Sequence, residues 1–188
     1  MLVAIVGTSG CGKNTIIDQV MKDNPDFVQM PSLTTREMRN GESQGHPYIF
    51  VTEDEFWKEV ESGRMLEHEE VHKGRHYGIS RVILDEYLAK HPVVIKDVDV
   101  NGVLSAKKAG YDVVAIFIEV SDKNELLNRI IARGETPERA AVRVSRFDYE
   151  MSHKKNMDYV VTNNTMEELP LAISKIGDII RKELKKRK

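Results

Sequence analysis

Residues 7–14, GTSGCGKN, have the spacing of a phosphate-binding loop. Such a loop reads G-x-x-x-x-G-K followed by Ser or Thr. Gly7, Gly12 and Lys13 fit, with Ser9, Gly10 and Cys11 between them. Glycines let backbone N–H groups converge on phosphate oxygens, and a following helix adds its positive N-terminus. Lys13 is then the cation for the outer phosphates. Position 14 is Asn, where a metal-binding hydroxyl is expected. Thr15 comes next, but it points about 100° away around a helix and cannot substitute. The Asn14 carbonyl remains a feasible, weaker oxygen ligand for magnesium.

Four further clusters carry chemistry. Arg36 and Arg39 lie on one polar, turn-rich segment with Tyr48 beyond them. Two guanidinium forks suit a phosphorylated substrate, with a phenolic hydrogen bond added, although a solvated basic loop has the same composition. Glu67, Glu69 and Glu70 crowd into MLEHEEV. A buried carboxylate there can accept two N–H bonds from the edge of a guanine; otherwise the segment is an acidic solvated strand. Asp97 and Asp99 stand at the C-terminal end of PVVIKDVDV, where ligands bind in open α/β sheets. Either carboxylate can hold magnesium directly or through water, or simply cap the strand end. Arg129, Arg133, Arg139, Arg143 and Arg146 fall within 18 residues. Phosphoryl transfer asks for cations around the moving group and exclusion of water, and arginines on a mobile lid supply both.

These groups need elements to hold them. LVAIVG (2–7) reads as a buried strand and NTIIDQVMK (14–22) as the helix after the loop. VTEDEFWKEVESG reads as a helix with Thr52 and Glu55 as a capping box. MLEHEEV and GRHYGIS are short extended pieces, and ISRVILDEYLAK is a helix ending near Pro92. Strands at 92–100, 112–120 and 157–164 alternate with helices at 101–110 and from Ser121 to 134. ETPERAAVRVSRFDYEMSHK reads as one more helix with Pro137 in its first turn. Thr165 and Glu168 are expected to cap a last helix. The alternation predicts an α/β fold with a parallel sheet and helices on both faces.

The 188 residues, 40% hydrophobic and 31% charged, suit one compact domain. Residues 30–80 break the α/β rhythm and read as an inserted substrate module. The expected division is a core of 1–29, 81–128 and 157–188, that insert, and a lid of 129–156. A net charge of −2 argues against a nucleic-acid polymer or a membrane surface as partner. The basic end, RKELKKRK, reads as a solvated helix terminus. With Cys11 the single cysteine, no intrachain disulfide forms, which suits a reducing cytoplasm. No signal peptide and no membrane span is visible.

The order of these motifs resembles the guanylate kinase family over nearly the full chain. The matching segments are GTSGCGKN, Ser32-Leu33-Thr34-Thr35-Arg36-Glu37-Met38-Arg39, Glu67-His68-Glu69-Glu70-Val71 with Tyr77-Gly78, Asp97-Val98-Asp99, and the Arg-rich lid. The resemblance implies that Ser32 and Glu67 read guanine. Arg36, Arg39, Tyr48 and Tyr77 hold the GMP phosphate, and Asp97 and Asp99 sit beside substrate and magnesium. Lys13, Arg39, Arg133 and Arg143 serve the transfer, and Asn163 lies near the ATP base. ATP is the implied donor, bound by Ser9 to Thr15, with Mg2+ at Asn14 and Asp97. Nucleotides are the implied partners, and the protein is expected as a monomer or homodimer. Asn14, Ile79 and Asn101 depart from the family pattern. Ile79 removes a hydroxyl that helps contact guanine. Two other readings stand beside this one: a kinase of another phosphorylated acceptor such as ribose 1,5-bisphosphate, and a protein-binding module without catalysis.

Overall fold

The computed structural model describes residues 1–72 and 74–187; Lys188, at the end of the basic C-terminal run, lies outside them. Among these residues the strands are β1 (Leu2–Val6), β2 (Phe27–Gln29), β3 (Ser32–Thr34), β4 (Ser43–Gln44), β5 (Pro47–Phe50), β6 (Met65–His72), β7 (Arg75–Ser80), β8 (Val93–Asp97), β9 (Val113–Glu119) and β10 (Tyr159–Thr162). The helices are α1 (Lys13–Asp23), α2 (Glu53–Glu61), α3 (Arg81–Lys90), α4 (Val100–Lys108), α5 (Lys123–Ala132), α6 (Pro137–Arg143), α7 (Phe147–His153) and α8 (Leu169–Lys186).

A five-stranded parallel sheet, ordered β10-β9-β1-β8-β2, forms the centre. All five residues of β1 are buried because helices cover both faces, so the strand reads as an unbroken apolar run. Val3 and Ile5 pack with Ile16, Ile17 and Val20 of α1 and with Ile176 and Ile180 of α8. Leu2 packs on the opposite face with Leu84 of α3 and Ala106 of α4. Ala4 and Val6 complete that face against Val100 and Val103. The phosphate-loop segment and Asp97 thus sit together at the C-terminal edge of neighbouring strands, since β1 and β8 pair with Ile5 opposite Asp97.

A second sheet, ordered β4-β5-β3-β7-β6, is built from residues between 32 and 80. Here β6 and β7 form an antiparallel hairpin and β7 pairs antiparallel with β3, while β5 runs parallel to β3. Helix α2 carries the full capping box: Thr52 Oγ1 accepts from the Glu55 N–H, and the Glu55 carboxylate accepts from the Thr52 N–H.

Three local expectations need correction. Helix α5 is capped by Asp122, whose carboxylate accepts from the Asn124 N–H, so it begins after Ser121. The stretch read as one helix after Glu135 is two, α6 and α7. The chain turns at 144–146, and Val144 at the start of that turn and Phe147 just after it are both buried in the main core. Thr165 makes no side-chain cap; it precedes a single 3-10 turn at Met166–Glu168, and the Glu168 carboxylate accepts from the Asn164 N–H instead.

Candidate active site

A cleft of about 760 Å3 opens between the two sheets. Its donor end is the loop after β1. Gly12 sits at the N-cap of α1 with φ of 100°, a left-handed conformation that favours glycine. A Cβ there would stand 2.9 Å from Asn163 Nδ2. Asn163 is buried beneath the loop rather than on the cleft wall, and its Nδ2 donates to the Cys11 carbonyl at 2.8 Å. Lys13 enters the cleft, with its ammonium donating to the Gly7 and Thr8 carbonyls. Ser9 and Gly7 line the same wall. Asn14 and Thr15 are exposed in the first turn of α1, beside Lys13.

Ser32, Tyr48, Glu67 and Tyr77 line the other end, brought together by β3, β5, β6 and β7. The Tyr48 and Tyr77 rings meet edge to face at 5.6 Å. Arg36 stands behind them, buried, its guanidinium 5.5 Å from the Tyr48 ring centre and forked onto the Glu42 carboxylate at 2.8 and 3.0 Å. Arg39 is exposed, and its backbone N–H also donates to Glu42. Glu42 therefore organises the whole basic segment.

Glu67 has a strongly raised carboxyl in the cleft. Burial pushes it up to about 7, the carboxylates of Asp99 and Glu69 add to the rise, and only Lys96 opposes it. It lies against the first turn of α4, where a Cβ on Gly102 would come within 2.6 Å of Glu67 Oε2. Gly102 is therefore a matter of space. Asp99 divides its two oxygens: Oδ1 caps α4 by accepting from the Gly102 N–H at 2.9 Å, and Oδ2 pairs with Arg146 at 3.0 Å. Burial alone would raise the Asp97 carboxyl. The charges of Lys96 and Lys13 outweigh that and hold it below the usual range.

The five arginines are not equivalent. Arg143 lines the cleft and pairs with Glu135 at 3.3 Å. Arg133 is exposed at the C-cap of α5 and away from the cleft wall, and Arg139 is exposed 4.0 Å from Glu135. Arg146 reaches Asp99 and, at 3.7 Å, Glu69. Arg129 turns inward: it pairs with Glu125 and donates to the Asn163 and Asn164 carbonyls at 3.1 and 2.7 Å. Replacing it with Met strips both carbonyls of their donor and leaves Glu125 unpaired. We expect Arg129→Met to cost about 2–4 kcal/mol of stability, measured by urea unfolding; a loss under roughly 0.5 kcal/mol would show that these bonds are not structural.

Two of the charged cleft residues, Lys96 and Arg146, were given no role by sequence. Lys96 is a buried cation between the apolar run VVI and Asp97 in VVIKD, and that oddity was the available signal. Arg146 was one of the five arginines, with nothing local to separate it from the rest. No cluster of three or more His, Cys, Asp or Glu side chains suited to a metal occurs among the described residues.

The guanylate kinase family model matches residues 1–183. The chain is 37% identical to a guanylate kinase of Lactiplantibacillus plantarum, over 97% of this chain and 88% of that one. It is 36% identical to a guanylate kinase of Thermotoga maritima, over 97% and 86%. The structure is similar to that of guanylate kinase from Anaplasma phagocytophilum, with a TM-score of 0.72 and 28% identity, covering 98% of this chain and 86% of that one. Family model, curated relatives and solved structure agree, and the chain belongs to the guanylate kinase family.

Proposed function

We propose that the protein transfers the terminal phosphoryl group of ATP to GMP, and to dGMP, giving GDP or dGDP and ADP. The observation that carries this reading is the single cleft that holds Lys13 at one end and Glu67 with Ser32 at the other. Lys13 and the loop N–H groups of Ser9 to Thr15 bind the donor phosphates. Arg36, Arg39, Tyr48 and Tyr77 hold the acceptor phosphate, which exchanges with Glu42 for the Arg36 fork. Ser32 and Glu67 take the base, and Asp99 sits beside the acceptor. Arg143, joined by Arg133 when the lid closes, neutralises charge on the transferring group. The side chains orient both nucleotides and stabilise charge, so no protein nucleophile is required. Asn163 acts on the donor site by holding the loop from behind.

The core (1–29, 81–128, 157–188), the acceptor insert (30–80) and the lid (129–156) are proposed to move as separate parts. The second sheet, drawn wholly from residues 32–80, supports that division. The protein is proposed to work in the cytoplasm as a monomer or homodimer; no helix among the described residues is long and apolar enough to cross a membrane.

Magnesium fits this site as an ion brought with the nucleotide. Asp97 is a cleft carboxylate held ionised, and Mg2+ commonly takes one or two such groups plus substrate phosphates. When bound it would neutralise the phosphate oxygens, held by Asp97 and by the Asn14 carbonyl. Asn14→Ser is expected to lower the magnesium concentration for half-maximal turnover severalfold. An unchanged magnesium titration would place residue 14 away from the ion. The activity itself is tested by coupled ADP release with GMP, dGMP, AMP, CMP and UMP. The expected result is turnover with the two guanine nucleotides; absence of turnover with both would end the proposal.

A further inference from the structure

Lys96 is buried, at 4% exposure, on a central strand of the parallel sheet, yet it lines the cleft. A charged side chain in such a place is costly unless it has a partner or a task. Its ammonium stands 3.5 Å from Asp97 Oδ1. Its stem borders a small void of about 10 Å3 shared with Leu66, Ile79, Val98 and Gly102. Gly102 is the residue against which the Glu67 carboxylate rests. Lys96, Ile79 and Glu67 therefore converge on one floor of the acceptor end.

The hydrogen-bonding demands of guanine decide what that floor must offer. Its N1–H and N2–H are donors on one edge, and O6 beside them is an acceptor. A carboxylate at Glu67 satisfies the two donors and can give O6 nothing. Ile79, buried at 5%, lines the cleft with no polar group, and the Ser32 hydroxyl at the same end is a neutral donor. Lys96 is the cation whose charge acts on Glu67. We infer that Lys96 donates a hydrogen bond to O6 of the acceptor base and so is a specificity-determining residue. An adenine would present an amino group to the same ammonium, donor against donor.

This inference rests on the reading of the cleft as a GMP kinase site, and the test separates the two. Steady-state kcat/KM is measured with GMP and with 6-thioguanosine monophosphate, whose sulfur is a weaker acceptor at the same position. In Lys96→Met, kcat/KM for GMP should fall about 30-fold, the scale of one charge-assisted hydrogen bond. The thio analogue should lose about threefold or less, so that the preference for oxygen collapses. Thermal unfolding should show a modest loss of stability, because Asp97 and Glu67 lose the cation beside them, with the variant still folded at the assay temperature. Lys96→Gln, which keeps a neutral donor, should retain part of the preference. Equal losses on both nucleotides would show that Lys96 serves the phosphates or the fold and would overturn the inference, as would an unchanged kcat/KM for GMP. A wild-type protein that phosphorylates neither guanine nucleotide fails earlier and removes the GMP reading on which the inference stands.

Discussion

Lys13→Met is expected to lower kcat about 1000-fold while the protein stays folded. Lys13 lies in the first turn of α1 and enters the cleft, so its ammonium is free to follow phosphate charge. In the structure it donates to the Gly7 and Thr8 carbonyls of its own loop. Gly7 and Thr8 are buried, but the loop is also held by the glycine conformations and by Asn163 on the Cys11 carbonyl. Lys13 is the cation proposed to act on the donor phosphates, so its removal should be felt mainly in the transition state. Single-turnover ADP release should show the loss, and a thermal melt within about 3 °C of wild type should show that folding is intact. A kcat within tenfold of wild type would place the phosphate work on the backbone alone.

Glu67→Gln is expected to reduce kcat/KM for GMP by about 100- to 1000-fold and, at pH 8, to raise stability. The first effect follows from replacing a carboxylate that accepts two hydrogen bonds by an amide that accepts at one atom and repels at the other. The second follows from the raised carboxyl, which goes from 4.5 in the open chain to about 7 in the fold, first through burial and then through Asp99 and Glu69. Its contribution to stability is fully present below about pH 4.5 and is lost as pH rises to about 7. Above that range the ionised group costs the fold up to about 3 kcal/mol, less whatever solvent screens at the cleft. Gln should therefore stabilise at pH 8 and do little at pH 4.5, which urea titrations at the two pH values would test. The same carboxyl governs binding. It must be ionised to accept from guanine, so the wild-type KM for GMP should climb as pH falls below about 7, and that slope should vanish in the Gln variant. A KM independent of pH between 6 and 8 in the wild type would remove Glu67 from the base.

Much of the fold was legible in the chain itself. The β1–loop–α1 unit was readable because five apolar residues, three loop glycines and a spaced apolar helix face all act locally. The capping box at Thr52 and Glu55 was readable for the same reason. The break between α6 and α7 was not, because Val144 and Phe147, three apart, fit one apolar helix face and no Gly or Pro marks the turn between them. Thr165 failed as a cap because Glu168 bonds the Asn164 N–H, a choice made by how β10 enters α8.

The site divides along the same line. Sequence by itself determined which chemical groups were available and which short segments carried them: the loop, the two arginines, the carboxylates at 67, 97 and 99. It determined too that they belong to one family of kinases. Only the tertiary structure decided where the long side chains end. Arg129 and Arg146 stand in one Arg-rich stretch, yet one is buried on the Asn163 and Asn164 carbonyls and the other meets Asp99, 47 positions away. Asn163 reaches back 152 positions to hold the phosphate loop. Lys96 reads as a lone cation after an apolar run, and it acquires meaning only when the fold brings Ile79 and Gly102 beside it and Glu67 against Gly102. Backbone preference and apolar periodicity are set by neighbours within a few residues. The partner of a charged side chain is set by whatever distant segment the core brings within about 4 Å of it.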